Sequence, residues 1–270
     1  MIHNMTEKVP IIIQARVNST RLRNKVLLEI NEKPLIEYVV NQISAAMLVD
    51  YCIIATSTNS KDDKIVDFCE RKKIRCFRGS EEDVLDRYYK CAKHFNCKTI
   101  IRISADSPLI DPNVIDEIIT KFQNNKFDYV SNNISYNDGQ WEESFCDYPQ
   151  GMVVEITSFQ ILETSWKNAV KKSEREHVFP YVQSHSEMFN ITNVKNNTKL
   201  SQIRCTVDKK EDFEFIKKII EKMKNEKIIK IKDICEIVKN EPDLLKINSK
   251  VDPFEGYKKS QMLDDLKDIQ

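Results

Sequence analysis

The chain has 270 residues, enough to bury one substantial core, and its 42 Lys and Arg balance its 42 Asp and Glu. This neutrality gives no reason to expect bulk attraction to nucleic acid or to a membrane surface, so any anion site must be built locally. No stretch approaches the length of a membrane span, no export signal opens the chain, and the eight cysteines include no C-x-x-C pair, so we expect a cytoplasmic protein with reduced thiols.

Short apolar runs alternate with longer amphipathic segments through the first half of the chain. Runs rich in Ile and Val predict buried strands at 9–15, 51–57, 74–79, 99–105 and 127–133. Helical spacing between them predicts helices at 34–47, 61–73, 82–95 and 112–123, and Asp111 is expected to cap the last of these. Strand–helix alternation of this kind indicates a parallel sheet wrapped by right-handed crossovers.

The second half is less regular. Turn formers and aromatic residues at 134–150 predict a long loop or a hairpin excursion over the sheet. Further strands are predicted at 151–157, 188–194 and 203–208, and helices near 158–169, at 174–185, from 210 and within 231–250. With no internal repeat and no low-complexity linker, one domain with a C-terminal helical extension is the simplest organisation.

A cationic loop follows the first predicted strand in the stretch "IIIQARVNSTRLRNKVLLEI" (11–30). Ligands of an open parallel sheet gather at the carboxyl ends of its strands. Because Arg can grip two phosphate oxygens and Lys supplies a point charge, this loop could hold a polyphosphate; the alternative is a solvated surface loop, in which Arg23 is the residue most expected to be merely exposed. The chain has only four glycines and neither a P-loop nor a dinucleotide fingerprint. The loop's polar residues are Arg16, Asn18, Ser19, Thr20, Arg21, Arg23 and Lys25.

Two carboxylates also end predicted strands. Asp106 follows the strand at 99–105 and is stiffened by Pro108, and Asp208 ends the strand at 203–208. Such carboxylates can ligate Mg²⁺ beside phosphate oxygens. The alternatives are a turn carboxylate for Asp106 and a helix cap for Asp208, with Glu211 completing a capping box. A metal–nucleotide site is predicted only if the fold brings these carboxylates to the cationic loop.

Two helical segments offer further candidates. In "RGSEEDVLDRYYKCAK" (78–93), Ser80 and Asp83 form a helix start, and Arg87 could face a nucleotide from the next turn. In "SEREHVFPYV" (173–182), His177 lacks the i, i+4 partner of a zinc helix, so a hydrogen-bonding His in a substrate wall is the functional alternative to a structural one. No nucleophile signature is present, which disfavours covalent catalysis.

Taken together, these motifs resemble the spore-coat-polysaccharide type of cytidylyltransferase, within the acylneuraminate and 3-deoxy-manno-octulosonate cytidylyltransferase superfamily. The resemblance covers nearly the whole chain, and the motifs are specific as an ordered set although each alone is weak. The matching stretches are "QARVNSTRLRNKVL", "KPLIEYVV", "ATSTNSKDDKIVDFC", "FRGSEEDVLDRYY", "RISADSPLIDPNVIDEII", "SEREHVFPYV" and "CTVDKKEDFEFI", with the tail "EGYKKS".

The resemblance implies an α/β, Rossmann-like nucleotide-diphospho-sugar transferase fold, with a mixed, mostly parallel sheet flanked by helices. Residues 1–225 would form the nucleotidyltransferase domain, with 134–157 and 173–195 on its acceptor or dimer side, and 226–270 would form a C-terminal helical extension. The implied ligands are CTP, Mg²⁺ and a sugar acid, and the implied assembly is a homodimer.

The resemblance also assigns roles to individual residues. Asp106 and Asp208 would bind the metal. The catalytic residues would be Arg16, Lys25, Asp106 and Asp208. The nucleotide-binding residues would be Arg16, Ser19, Arg21, Lys25, Arg78, Ser80 and Arg87. The residues that bind the acceptor substrate would be Gln150, Glu155, Arg175 and His177.

The chain departs from the family pattern at three places, of which Ala105, in place of a Gly before Asp106, is a small steric change. The loop carries Asn18, Arg23 and Asn24 where glycines and a proline are common, and Asn tolerates the left-handed backbone that such a turn needs. "PQGMVVEI" has Gln150 and Val153 where the family tends to have carboxylates, which leaves the acceptor open.

The expected reaction is attack of a sugar-acid hydroxyl on the α-phosphorus of CTP, giving a CMP-sugar for surface polysaccharide or glycan synthesis and pyrophosphate. The alternatives are another acceptor such as a sugar phosphate, another base, or a non-catalytic nucleotide-binding partner protein.

Overall fold

The apolar runs of the first half fold into a central sheet. The computed structural model describes residues 7–137, 140–141 and 147–267. Among these residues the sheet has seven strands, and two short hairpins lie outside it. The sheet strands are β1 (Val9–Gln14), β4 (Val49–Ser57), β5 (Arg75–Gly79), β6 (Thr99–Ser104), β7 (Tyr129–Ser131), β10 (Glu155–Ser158) and β11 (Ile191–Asn193), and the hairpins are β2 (Glu29–Ile30) with β3 (Lys33–Pro34) and β8 (Tyr136–Asn137) with β9 (Gln140–Trp141).

The sheet is mixed but mostly parallel, as predicted. Its strand order is β11-β7-β10-β6-β1-β4-β5. The central strand β1 runs parallel to both β4 and β6, whereas β10 runs antiparallel to both of its neighbours, β6 and β7. Because β1 and β6 run side by side in the same direction, the loops that follow them emerge at the same edge of the sheet.

Helices cover both faces of the sheet. Ile11 and Ile13 of β1 point into one apolar cluster and Ile12 into the other, as the alternation of side chains along a strand requires. Buried residues of α1, α4, α8 and α9 fill the first cluster, and those of α3, α5 and α7 fill the second. The helices are α1 (Leu35–Ser44), α2 (Asp63–Lys72), α3 (Val84–His94), α4 (Pro112–Gln123), α5 (Phe159–Asn168), α6 (Lys172–His177), α7 (Pro180–Ser184), α8 (Lys210–Lys222), α9 (Ile231–Asn240) and α10 (Glu255–Lys267).

Several local expectations are confirmed and two are wrong. Asp111 caps α4 by accepting the N–H of Asn113 at 2.8 Å. The predicted strand at 203–208 is instead an extended connection with one isolated bridge, Gln150 to Arg204, because its N–H groups bond to scattered loop carbonyls rather than to a neighbouring strand. The predicted helix at 174–185 is two short helices, since Pro180 cannot continue α6 and instead begins α7.

Some predictions fall partly outside the described residues. Within 134–150 the hairpin β8–β9 agrees with the predicted excursion, but residues 138–139 and 142–146 lie outside the described part of the chain, as do residues 1–6. None of the helices in the described part is both long and apolar enough to cross a membrane.

The C-terminal helices are present and integrated with the rest. Ile234 and Val238 of α9 belong to the same apolar cluster as the sheet, and α10 packs against α6. The domain boundary at 225 stays a prediction.

Candidate functional site

A cavity of about 700 Å³ opens at the sheet edge where β1 and β6 end. Residues 14–26, which follow β1, and 104–107, which follow β6, contribute to one side of it. Residues of α6 and α10 contribute to the other side. This volume is in the range of small-molecule sites, and the location is the one expected for a ligand of an open α/β sheet.

Lys25, Asp106 and Asp208 meet at the cavity wall. The Nζ of Lys25 donates to Asp106 Oδ2 at 2.6 Å and to Asp208 Oδ1 at 2.8 Å. Asp208 Oδ1 also accepts from Arg21 Nη2 at 2.6 Å, and its Oδ2 accepts from Arg204 Nη2 at 3.0 Å. Two carboxylates that are far apart in the sequence therefore share one cationic group.

Backbone contacts explain this convergence. Lys25 is the first residue of a short 3₁₀ turn, and Asn24 precedes it as the N-cap. Asn24 has a left-handed φ of 57°, a backbone conformation that Asn was expected to tolerate at this point in the loop. The backbone N–H of Val207 donates to the carbonyl of Asp106 at 2.8 Å, which joins the two acidic segments directly. Asp212 then accepts the N–H groups of Asp208 and Lys209, each at 2.9 Å, and so fixes the start of α8.

The charges of this cluster stabilise one another. Burial alone would lower the pKa of Lys25, but Asp106 and Asp208 together raise it. Burial would raise the pKa of Asp208, but Lys25 and Arg21 lower it to about 2. Both groups are therefore charged at neutral pH.

A buried carboxylate that the sequence reasoning missed shapes the cationic loop. Asp62 Oδ1 accepts the N–H of Val17 at 2.7 Å, and its other oxygen accepts both the N–H and the hydroxyl of Ser57. The side chain thus clamps the loop after β1 to the end of β4. Its only signal in the sequence is its place in "NSKDDK", where it resembles an ordinary helix start.

Arg87 is buried without a counter-charge. Its Nη1 donates to the carbonyl of Ser80 at 2.6 Å, its Nε has no hydrogen-bond partner, and no described carboxylate lies within 4 Å of it. Burial lowers its pKa. Gly79 makes room for it, because a Cβ at that position would lie 2.9 Å from Arg87 Cγ. Arg87 lines the cavity, so a bound anion would supply the missing charge.

The predicted nucleotide-binding residues divide into two groups. The first group lines the cavity and consists of Arg16, Ser19, Arg21, Lys25 and Arg87. Arg23, which was not assigned to the nucleotide, is exposed, as predicted.

Arg78 and Ser80 do not line it. The guanidinium of Arg78 bonds to the carbonyls of Ser57 and Asn59 and to Asp63, so its donors are used inside the β4–α2 turn. Ser80 Oγ accepts the N–H of Asp83 and so orders the start of α3.

The predicted acceptor-binding residues divide in the same way. Gln150, Glu155 and His177 line the cavity. Arg175 does not, because its Nε bonds to Asp83 Oδ2 at 2.9 Å and its Nη1 to the Trp166 carbonyl at 2.8 Å. It joins α6 to α3 and α5 instead.

The three that line the cavity have defined partners. Both oxygens of Glu155 are occupied, one by Arg102 and one by the Tyr129 hydroxyl at 2.7 Å. Gln150 accepts from Arg204 Nη1 at 3.0 Å, in support of the Asp208 network. Burial lowers the pKa of His177 to about 4, so its ring is neutral at pH 7.

The backbone around His177 is strained. Val178 has a φ of 76° and a ψ of −56°, and the N–H of Phe179 donates to the carbonyl of His177 at 3.0 Å. This is a γ-turn centred on a β-branched residue, a conformation that persists only where the surroundings enforce it. It separates α6 from α7 and fixes the end of α6 where His177 faces the cavity.

Helix α10 is also part of this site, which no motif in the sequence indicated. The Ser260 hydroxyl lies 3.1 Å from His177 Nε2 and donates to Glu176 Oε2 at 2.8 Å. The hydroxyls of Tyr257 and Tyr136 are hydrogen-bonded to each other, which connects α10 to the hairpin β8–β9. The helix therefore forms part of the cavity wall, where it contacts α6 and the hairpin β8–β9.

Asp106 and Asp208 suit a hydrated divalent cation. No group of three or more His, Cys, Asp or Glu side chains in the described residues could enclose a metal. However, both carboxylates already converge on one ammonium group, and Mg²⁺ is commonly bound through one or two carboxylates together with substrate phosphates. The residues present fit that mode of binding.

Comparison with known proteins identifies the family. The family model described as "Cytidylyltransferase" matches residues 10–250. This chain belongs to the cytidylyltransferase family. An uncharacterised protein of Methanocaldococcus jannaschii, MJ1063, is 34% identical over 244 residues, which cover 89% of this chain and 94% of that protein.

Other relatives of this cytidylyltransferase carry more informative names. The spore coat polysaccharide biosynthesis protein SpsF of Bacillus subtilis is 29% identical over 86% of this chain and 94% of its own length. A 3-deoxy-manno-octulosonate cytidylyltransferase of Geotalea daltonii is 35% identical, but over only 42% of this chain and 44% of its own length.

A solved structure agrees with the family and the fold. A cytidylyltransferase from Leptospira borgpetersenii superposes with a TM-score of 0.81 at 28% identity, covering 88% of this chain and 97% of the other. The predicted superfamily and fold are confirmed, and the protein is a CTP-dependent nucleotidyltransferase.

Proposed function

We propose that this cytidylyltransferase transfers the CMP unit of CTP to a hydroxyl of a sugar acid, releasing pyrophosphate. The names of the relatives support a sugar-acid acceptor and a product used in surface polysaccharide or glycan synthesis. A homodimer and a cytoplasmic location, expected from the sequence, are part of the same proposal.

The observation that carries the proposal is the meeting of Lys25 with Asp106 and Asp208 beside the cationic loop. It combines donors for a triphosphate with carboxylates for a divalent ion at one point of the cavity. In the reaction, a bond forms between the acceptor oxygen and the α-phosphorus while the bond from that phosphorus to the β-phosphate oxygen breaks. Such transfer depends on positioning and charge neutralisation rather than on a covalent enzyme intermediate.

The chain's own cations would bind the triphosphate. Arg21 and Lys25 reach the point where the two carboxylates converge, and Arg16 lies earlier in the same loop. As pyrophosphate leaves, these cations would neutralise the charge that develops on it. Arg87 would hold a phosphate oxygen, and this contact would also compensate its own buried charge.

Mg²⁺, when bound by Asp106 and Asp208, would supply a positive charge that polarises the phosphates. Lys25 now occupies the position between those two carboxylates, so it would have to share them with the ion or turn toward the phosphates. Either arrangement keeps its ammonium near the leaving group.

The test is pyrophosphate release by the whole chain with Mg²⁺ and 3-deoxy-manno-octulosonate or an acylneuraminate. We expect turnover with CTP and much less with UTP, ATP or GTP, and Asp106→Asn should reduce the rate by roughly 10²- to 10³-fold. Asp50→Asn, on the exposed start of β4, is the matched control and should retain activity. Turnover only with a sugar phosphate, or tight CTP binding without turnover on any acceptor, would contradict the proposal.

A further inference from the structure

The helix α10 turns one face toward the cavity. Gly256, Lys259, Ser260 and Leu263 all line it, and their spacing of three, four and seven residues from Gly256 places them on one side of the helix. Lys258 does not line the cavity and bonds to Asp252 at 3.1 Å. The two adjacent lysines therefore have different surroundings.

Contacts at both ends of α10 hold this face in position. Near its start, Glu255 pairs with Lys209 at 2.6 Å, and Gly256 lies so close to Arg21 that a Cβ there would be 3.4 Å from the guanidinium. Further along, Ser260 is bonded to Glu176 and His177, and Asp264 accepts the N–H of Ser173 at 2.9 Å. The helix that carries Lys259 is thus fixed at the site, and the Lys259 side chain, next to Ser260, is exposed.

The charges that line the cavity are almost all compensated. Of its eight Lys and Arg residues, six lie within 4 Å of a carboxylate, and among the described residues only Arg87 and Lys259 do not. The six are Arg16, Arg21, Lys25, Arg102, Lys172 and Arg204.

The two uncompensated cations lie on different walls. Arg87 is buried on α3, next to the Ser80 carbonyl, whereas Lys259 belongs to α10, the wall that carries the bonds to His177. The proposed reaction brings two separate anions into the cavity, a triphosphate and the carboxylate of the acceptor. Because no described carboxylate lies within 4 Å of Lys259, an acceptor carboxylate at the α10 wall could pair with it without displacing an existing partner.

We propose that Lys259 binds the carboxylate of the sugar acid and so selects acidic acceptors. This inference rests on the proposed function and assigns a specificity-determining residue within it. Lys259 lies beyond residues 10–250, the part of the chain that the family model matches, and within the tail "EGYKKS" (255–260).

The test compares Lys259→Met with Lys258→Met, which removes the same charge from the neighbouring position. Binding of 3-deoxy-manno-octulosonate and of its uncharged methyl ester is measured by calorimetry with Mg²⁺ and a CTP analogue whose α,β-bridge is not cleavable. We expect Lys259→Met to weaken binding of the acid by roughly tenfold or more, since a charge-assisted hydrogen bond is lost. We expect Lys259→Met to bind the ester and the CTP analogue with affinities within about twofold of the wild type. We expect Lys258→Met to bind the acid, the ester and the CTP analogue within the same limit.

Each outcome is decisive. An unchanged affinity of Lys259→Met for the acid, an equal loss for acid and ester, or an equal loss in Lys258→Met would overturn the assignment. Turnover measurements separate the assignment of Lys259 from the proposed reaction. A wild type that binds the acid but releases no pyrophosphate refutes the proposed reaction, and the binding comparison then still tests the role of Lys259. A wild type that binds neither 3-deoxy-manno-octulosonate nor an acylneuraminate refutes both.

Discussion

The two halves of the cavity are built on different principles. On the nucleotide side, ion pairs dominate, and Asp208 alone contacts Arg21, Lys25 and Arg204. On the acceptor side, ion pairs are also present, as between Glu155 and Arg102, but the contacts of α10 with α6 and with the hairpin β8–β9 include neutral groups. These groups are the hydroxyls of Tyr257 and Ser260 and the uncharged ring of His177.

This difference corresponds to two tasks of the enzyme, which are to bind the triphosphate and the metal and to select the acceptor. Triphosphate and metal are highly charged, and a site for them needs many opposed charges that stabilise one another before the ligand arrives. A sugar acid offers hydroxyl groups and one carboxylate, so a mainly neutral wall with one uncompensated cation is sufficient. Changes on the nucleotide side should therefore abolish the chemistry, and changes on the acceptor side should alter the choice of substrate.

The largest effect is expected for Asp208→Asn. The amide keeps the shape of the side chain but removes the charge shared by three cations, so we expect pyrophosphate release to fall by roughly 10²- to 10³-fold or more. The folded protein should also lose about 3 kcal/mol of stability, because a buried charge pair is broken on one side. Initial rates and denaturant unfolding measure the two effects.

Asp243→Asn is the control for that experiment, since its carboxylate is 89% exposed and, among the described residues, pairs only with Lys246 across one turn. It should change neither quantity appreciably. If Asp208→Asn kept most of its activity, the nucleotide side would not depend on the shared carboxylate, and the contrast between the two halves would fail.

A smaller and more unusual effect is expected for Arg87→Met. Most substitutions of a buried charged residue destabilise the fold, but this guanidinium has no carboxylate within 4 Å among the described residues. Its removal should therefore leave stability unchanged or slightly higher, while the KM for CTP rises by roughly tenfold to a hundredfold. Thermal unfolding and initial rates at varied CTP are the measurements.

Lys93→Met, on the exposed side of the same helix, is the matched control for charge. A marked loss of stability in Arg87→Met with an unchanged KM for CTP would show that the residue is structural.

The charged cluster of the nucleotide side could be predicted from the sequence because its signals are local, whereas the roles of Asp62, Arg78 and Ser80 could not. Asp106 directly follows an apolar strand, and four cations crowd the loop after another, so the rule for strand ends is enough to bring them together. The strand expected at 203–208 is wrong, yet Asp208 reaches its place because Val207 bonds to the Asp106 carbonyl rather than to a strand. The position of Asp208 was therefore predictable from the sequence, although the secondary structure of residues 203–208 was not.

The acceptor side could not be predicted in the same way, because its contacts join segments far apart in the chain. The bond between Tyr136 and Tyr257 and the bond between His177 and Ser260 leave no periodic signal in either segment. The sequence of α10, "EGYKKSQMLDDLK", also lacks the continuous apolar stripe that marks a packed helix. A helical extension could be expected from the resemblance, but not that one of its faces closes the site.

The smallest catalytic effect is expected for Arg175→Met, and it tests the boundary of the acceptor side. The family resemblance implied a substrate contact, whereas the side chain bonds to Asp83 and to the Trp166 carbonyl outside the cavity wall. We expect a loss of roughly 1–3 kcal/mol in unfolding free energy, because Asp83 loses its charged partner, with both KM values within about twofold of the wild type. Arg71→Met, on the exposed surface of α2, should leave stability and kinetics unchanged. A rise in the KM for the sugar acid at unchanged stability would instead extend the acceptor side to α3 and α5, and the division between a charged and a neutral half would need to be redrawn.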